Sequence, residues 1–257
     1  MKVGSLALME ERSAAFSEED LVNFDPVFAP RHIALIMDGN RRWAQQEDLL
    51  AADGHWRGGK SLMNVVCAAV ELGVNFVTAF TFSTENWARP QEEVDALMRL
   101  FEMYLKQERG AMIKNGVKLG SIGDLTLFPG FVVEELQKTK AATAHCSRIE
   151  LILALNYGGR DDIRRAVSSI VDDCEKKKLH KDDITEETIS SYLDTSARID
   201  PDLLIRTGGE MRLSNFLLWQ LSYSEVYVTD VLWPNFSAQD LLRAVLKYQK
   251  RERRYGE

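Results

Sequence analysis

HIALIMDGNRRWA, residues 32–44, opens on apolar side chains from Ile33 to Met37 and then turns polar at once. A short apolar run of this kind suits a buried strand. Asp38 ends it, Gly39 lets the backbone turn sharply, and Asn40 is placed to cap a helix begun by Arg41, Arg42, Trp43 and Ala44. The unpaired N–H groups and positive dipole of a helix N-terminus suit a phosphate. Asp38 beside it has the hard oxygen ligands that would let a magnesium ion bridge to the same phosphate. An ordinary strand closed by an Asp-Gly turn is the competing reading, since strand–turn–helix units occur without phosphate.

Working outward, the composition bounds the possibilities. The chain has 257 residues, 45% hydrophobic and 28% charged, enough for one large α/β domain or two small ones. Lys plus Arg number 32 against 39 Asp plus Glu, a net charge of −7, which argues against a nucleic-acid partner but leaves room for a local basic pocket. No apolar run approaches the roughly 20 residues of a membrane-spanning helix. Glu10, Glu11, Glu18, Glu19 and Asp20 occupy the N-terminal stretch, where a signal peptide would be basic and then apolar. Cys67, Cys146 and Cys174 are odd in number and far apart, unlike a disulfide framework or a zinc site. These features are those of a reduced cytoplasmic protein. Residues 1–30 are expected to form an arm or short helix outside the core, and residues 31–257 one domain.

Along the chain, strands and helices alternate. Gly54-His55-Trp56-Arg57-Gly58 is expected to precede a helix carrying Leu62, Val65, Val66 and Ala69 on one face and closed by Gly73. Val74–Phe82 reads as a second strand, Ser83–Gln91 as a loop, and Val94, Leu97, Leu100, Phe101, Tyr104 and Leu105 mark a long helix. Further strands are expected at 116–123, 149–157, 202–206 and 226–231, with helices over 132–144, from 163, across 216–223, and after the capping residue Ser237. Strands apolar on both faces between helices predict a single α/β domain around a central, mostly parallel six-stranded sheet. Ligands of such sheets lie beyond the carboxyl ends of the strands. There the sequence puts Asp38, Ser83-Thr84-Glu85-Asn86, Asn156 and Arg206.

The loop LIRTGGEMRLSNF adds Arg206, Arg212, Leu213 and Ser214, with two glycines that let backbone N–H groups approach a ligand. Arginine suits bidentate binding of phosphate oxygens. An exposed loop with ordinary ion pairs is the alternative. P-loop, dinucleotide-binding and nucleophile-elbow motifs are absent. The acid pairs Asp161-Asp162, Asp172-Asp173 and Asp182-Asp183 read as solvated helix ends.

HIALIMDGNRRWA, GHWRGG, TFSTENWARPQEEV, LNYGGRDDI, LIRTGGEMRLSNFLLWQ and VLWPNF follow one another in the order seen in cis-prenyltransferases. The chain from about Pro30 onward resembles that family, and most of all its bacterial undecaprenyl diphosphate synthases. The resemblance implies repeated condensation of isopentenyl diphosphate onto an allylic diphosphate with cis geometry, with farnesyl diphosphate as the primer. The product is a long polyprenyl diphosphate, the lipid carrier for cell-wall sugars. It implies Mg2+ as cofactor, a homodimer, an apolar tunnel between sheet and helices, and a cytoplasmic enzyme whose product partitions to the inner face of the membrane.

The same resemblance assigns Asp38 as the essential acid and a magnesium ligand. Gly39, Asn40, Arg41, Arg42 and Trp43 line the allylic diphosphate site, with His55 nearby. Ser83, Thr84, Glu85, Asn86, Trp87 and Arg89 match a mobile loop that closes over substrate, and Asn86 is the position proposed to assist proton removal. An amide is a poor base, so released diphosphate is the other proton acceptor. Arg206, Arg212, Leu213 and Ser214 fall to the diphosphate of isopentenyl diphosphate, Glu225 to a second magnesium-linked acid, and Arg254 and Gly256 to a terminal R-x-G reaching across the homodimer. Plainer roles stay open: His55 as a helix-start residue, Glu225 as a surface acid, the tryptophans as core, the basic tail as a solvated helix end. Val65, Ala69, Leu97, Phe101, Tyr104, Leu151 and Leu153 are tunnel candidates that core packing explains equally well. Non-catalytic subunits of the fold lose the acid and the arginine loop, whereas this chain has both. A short-chain product is the remaining alternative. The chain departs from the family at Ala51, where an arginine is usual, flanked by Asp48 and Asp53, and at Arg41, where glycine is frequent.

Overall fold

The computed structural model describes residues 15–251. Six strands form one sheet: β1 (His32–Ile36), β2 (Phe76–Ser83), β3 (Val117–Ile122), β4 (Ile149–Tyr157), β5 (Leu203–Arg206) and β6 (Glu225–Val228). Their order is β3-β4-β2-β1-β5-β6 and every pairing is parallel. Between them run α1 (Asn40–Gln46), α2 (Ala51–Glu71), α3 (Gln91–Asn115), α4 (Gly130–Thr143), α5 (Gly159–Glu175), α6 (Glu186–Tyr192) and, after β6, α7 (Ala238–Gln249). A parallel sheet needs cover on both faces, and the alternation of side chains supplies it. Ile33 and Leu35 of β1, with Leu151, Leu153 and Leu155 of β4, join the larger core with Met63, Val66, Met98, Leu105 and Leu241. Ala34 and Ile36, with Ile152 and Ala154, pack on the other face beneath Phe216, Leu217 and Leu221. The chain leaves β1 toward β2 on one side, and β5 lies on the other. The crevice beyond their ends is therefore the switch point where α/β sheets bind ligands.

Several local expectations change. Asn40 is the first helical residue of α1 rather than its cap. The cap is Gly39 at φ 112°, and Asn40 Nδ2 donates back to the Met37 carbonyl at 3.3 Å. α2 begins at Ala51, so Gly54, Gly58 and Gly59 lie inside it. The reason is contact: a Cβ at Gly54 would overlap the Asn40 carbonyl oxygen, and one at Gly58 the Asn40 side chain. Absent side chains there let α1 and α2 meet backbone to backbone, which outweighs the helix cost of glycine. Residues 216–223 form turns, not a helix, because Ser214, Asn215 and Leu217 have φ of 51°, 62° and 43°. Asp162 is not a solvated helix end but 1% exposed, accepting the Tyr157 hydroxyl at 2.9 Å; burial, above all, raises its pKa. Phe16, in the stretch expected outside the core, is buried within it.

Candidate active site

Asp38 follows β1 directly, and its backbone is fixed before its side chain is considered. Its carbonyl accepts the Thr207 hydroxyl at 2.7 Å and the Trp233 N–H at 3.0 Å. β5 runs beside β1, with Arg206 level with Ile36, so Arg206 arrives next to Asp38. Its Nη2 donates to Asp38 Oδ2 at 2.8 Å, while its Nη1 donates to the Ser214 hydroxyl at 2.8 Å and to the Arg212 carbonyl. Arg206 is 4% exposed, whereas Asp38 keeps one oxygen lightly held, Oδ1 at 3.3 Å from Arg42 Nη2. A buried guanidinium thus joins the first-strand acid to the late loop, as a charged hydrogen-bonded pair.

Three buried polar atoms near this pair have no hydrogen-bond partner: Asn40 Oδ1, His55 Nε2 and Arg206 Nε. Such atoms are uncommon in native proteins and are what a polar ligand would satisfy. Burial pushes the His55 pKa down to about 4, Arg89 and Arg41 add to the effect, and Glu93 opposes it. The ring is therefore neutral at physiological pH. Glu93 lies between two arginines, 3.0 Å from Arg89 Nη1 and 3.3 Å from Arg41 Nη2, tying α1 to the start of α3.

The Ser83–Arg89 stretch holds a 3-10 turn, Thr84–Ala88. Asn86 Oδ1 accepts the Ser83 N–H at 3.0 Å, so its carbonyl oxygen is engaged and its N–H donors remain. Trp87 Nε1 donates to Asn156 Oδ1 at 2.8 Å, and its ring meets Phe82 and Phe128 edge-on. Burial works to raise the pKa of Glu85, but hydrogen bonds, that from Asn215 first, hold it below the usual carboxylate range.

Polar groups and apolar wall share one cavity of about 330 Å³. Asp38, Asn40, His55, Ser83, Asn86, Arg89 and Ser214 stand in its lining with Leu62, Phe82, Leu97, Phe101, Tyr104, Phe128 and Leu153. It lies between the sheet and α2 and α3, the place expected for a tunnel. Val65, Ala69 and Leu151 do not line it; they are fully buried core.

Other candidates stand apart. Trp43 Nε1 donates to Asn235 Oδ1 at 2.9 Å, bracing α1 on the turn that carries Trp233. The Arg212 side chain is 64% exposed and pairs with Glu210 at 2.5 Å; only its carbonyl meets Arg206. Leu213 is exposed. Glu225 opens β6 level with Leu203 and hence with Ile33, at the opposite end of the strands from Asp38, and pairs with Arg251 at 3.0 Å. The two acids do not meet within this chain, and no group of three or more potential metal-ligating side chains occurs among the described residues. Arg254 and Gly256 lie outside the described residues. Thr207, Trp233 and Asn215 were not singled out by sequence as site residues. Threonine after an arginine, or asparagine after a serine, carries no pattern of its own.

The family model described as putative undecaprenyl diphosphate synthase matches residues 36–256. The isoprenyl transferase of Chlamydia trachomatis serovar D is 50% identical over 231 residues, 88% of this chain and 91% of that protein. The isoprenyl transferase of Clostridium perfringens is 45% identical over 88% and 90% of the two chains. Among solved structures, lavandulyl diphosphate synthase from Lavandula x intermedia in complex with dimethylallyl diphosphate superposes with a TM-score of 0.87 at 35% identity, covering 90% of this chain and all of that one. A probable undecaprenyl diphosphate synthase from Campylobacter jejuni gives 0.74 at 34% identity, over 89% and 99%. Fold and pocket therefore define a prenyltransferase. The chain belongs to the cis-prenyltransferase family of isoprenyl transferases and undecaprenyl diphosphate synthases.

Proposed function

We propose that this enzyme condenses isopentenyl diphosphate repeatedly onto an allylic diphosphate, farnesyl diphosphate as primer, to give a long cis-polyprenyl diphosphate that carries cell-wall sugars. One observation carries the reading: a cavity polar at the end lined by Asp38 and Ser214, which Arg206 bridges, and apolar along α2 and α3. A diphosphate with a growing hydrocarbon chain has the same division.

In this reading the allylic diphosphate lies at the start of α1, by Asn40, Arg41, Arg42 and His55, and isopentenyl diphosphate lies by Arg206 and Ser214. Charge grows on the leaving oxygen as the allylic carbon–oxygen bond lengthens, and each well-placed donor is worth roughly 2–4 kcal/mol there. Asp38 fits a magnesium site of the common kind, one carboxylate with the remaining ligands from water and substrate phosphate. Its lightly held Oδ1 is the available ligand atom. Bound there, Mg2+ would supply charge stabilisation to the leaving diphosphate. Asn86 orients substrate through its N–H donors, and the departing diphosphate takes the proton.

Glu225, with Arg254 and Gly256, is proposed to act across a homodimer. β6 is an edge strand, and Val226 on it and Tyr223 just before it are exposed apolar surface that a second copy would cover. No described helix is long and apolar enough to cross a membrane. We place the enzyme in the cytoplasm, at the inner membrane face when it releases product.

The test is incubation of the purified protein with labelled isopentenyl diphosphate, farnesyl diphosphate and Mg2+, with product length read by thin-layer chromatography. A long polyprenyl ladder is expected; no incorporation overturns the reading. Similarity to a lavandulyl diphosphate synthase favours a second outcome, a short product, which the same plate separates.

A further inference from the structure

Asn215 stands where three segments meet. Its main-chain oxygen accepts the Gly159 N–H at 2.6 Å, and its Oδ1 accepts the Arg160 N–H at 2.9 Å. These are the first two amides of α5, whose cap residue Gly158 has no side chain to satisfy them. On the other side, Nδ2 donates to Glu85 Oε1 at 3.0 Å. The contact leaves no slack: a Cβ at Gly158 would lie 2.7 Å from Asn215 Nδ2 and 2.8 Å from Thr84 Oγ1. One residue earlier, the Ser214 hydroxyl accepts from Arg206.

The residue type matches the task. With φ at 62° the backbone is left-handed, a conformation asparagine tolerates better than most side chains. Its carboxamide also offers an acceptor and a donor at once, which aspartate and serine cannot do in this geometry.

We propose that Asn215 is a positioning residue that clamps the Arg206–Ser214 pocket to the Ser83–Arg89 loop, using the N-terminus of α5 as the fixed post. The proposal rests on the reading of these two segments as substrate-binding. Through the clamp, the diphosphate held at Arg206 and the substrate covered by the loop keep one separation, which a condensation between them requires. Hydrogen bonding at Glu85 supports the arrangement, since it overcomes the effect of burial and keeps that carboxyl ionised as acceptor.

Hydrogen–deuterium exchange of the whole protein, with steady-state kinetics, tests the clamp. Asn215→Gly keeps the left-handed backbone and removes the carboxamide. It should speed exchange both at Arg160 and across residues 84–88, and lower kcat about tenfold while KM for isopentenyl diphosphate moves less than about twofold. Asn215→Asp keeps an acceptor for Arg160 but faces Glu85 with a second carboxylate. Protection should persist at Arg160 and be lost at 84–88, and Glu85→Gln in that background should restore it by returning a donor. Wild-type protection of 84–88 in Asn215→Asp, or an unchanged kcat in Asn215→Gly, overturns the proposal. If the wild-type protein incorporates no isopentenyl diphosphate, the functional reading fails, and the exchange pattern still decides whether the clamp exists.

Discussion

The corner from β1 into α1 and the long connection from β5 to β6 both deliver polar groups to the same pocket, yet they are built in opposite ways. The first is held by backbone packing. Gly39 turns, Gly54 and Gly58 admit α1 against α2, and Thr207 and Trp233 grip the Asp38 carbonyl. The second is held by side chains. Arg206 ties its start to Ser214, Asn215 ties its middle to α5, and Gln220 Nε2 donates to Thr195 at 2.9 Å. The corner's acid is placed mainly by main-chain contacts, one of them to the loop's own first residue, Thr207; the loop beyond it moves if one side-chain donor is lost. The two should respond differently to substitution.

The hardest test is at the ion pair that joins them. Asp38→Ala should lower turnover about 10³-fold, the scale of losing a transition-state electrostatic contact. It also leaves the Arg206 guanidinium buried with two of its three partners, costing about 2 kcal/mol of stability. Asp38→Asn keeps an acceptor for Arg206, so thermal stability should return while turnover stays low. Parallel recovery of both would mean that the carboxylate serves only to hold the loop.

Glycine separates the two regions next. Alanine at Gly54 meets the Asn40 backbone, which cannot step aside, and should cost about 3 kcal/mol. Alanine at Gly208 meets the end of the flexible Arg42 side chain, leaving mainly the left-handed cost at φ 80°, about 1–2 kcal/mol. Thermal melts that put Gly208→Ala above Gly54→Ala in damage would reverse the assignment of which corner is rigid.

The same contrast explains what could be read in the residues alone. β1, β4 and the capping box of Ser237 and Asp240 at α7 are local or periodic, and the apolar alternation and cap residues declare them. Asp38 and Arg206 declare themselves too, as charges at strand ends. The run Phe216–Leu221 has helical spacing of apolar residues, yet its side chains reach the sheet from turns. The competing force is the left-handed backbone at Ser214, Asn215 and Leu217, of which Asn215 is fixed by partners 55 or more residues away. α2 begins early for a like reason. Three glycines in one turn and a half look like a break until α1 is known to press against them. Asp162 misleads because its neighbour Asp161 is solvated while its own partners, Tyr157 and Gln220, come from other segments.

Acid probes the two ends of the strands. His32 opens β1 and His55 sits by the pocket, and burial pushes each pKa down to about 4. A folded value below the free value of 6.5 means that their contribution is complete above that pH and is lost as pH falls toward 4. Each should cost roughly 3 kcal/mol over that range. His55→Gln should remove about half of the acid-induced loss seen by denaturant titration. Inorganic pyrophosphate should raise the pKa of His55 alone, since His32 is enclosed by the Ile199 carbonyl and the Thr78 hydroxyl at the far end of the strands. An equal rise at both rings, followed by NMR, would detach His55 from the anion site.

The smallest effect lies on the corner's outer rim. Ala51 is the first residue of α2, with Asp48 and Asp53 close in sequence. Asp53 caps the helix through the Leu50 N–H at 3.1 Å, so it cannot simply be exchanged. Arg41, the cation that would compensate at the allylic site, is committed in part to Glu93 at 3.3 Å. On the proposed reading, the corner would offer an allylic diphosphate one cation fewer while Arg41 is held by Glu93. Ala51→Arg adds one at a helix position that accepts arginine readily. A partly exposed charged contact is worth about 1 kcal/mol, so KM for the allylic substrate should fall about three- to tenfold with kcat unchanged. The added charge lies on the backbone-held corner, so KM for isopentenyl diphosphate should not follow. If it falls in step, the two diphosphates do not divide between corner and loop, and the contrast between these regions is one of construction alone.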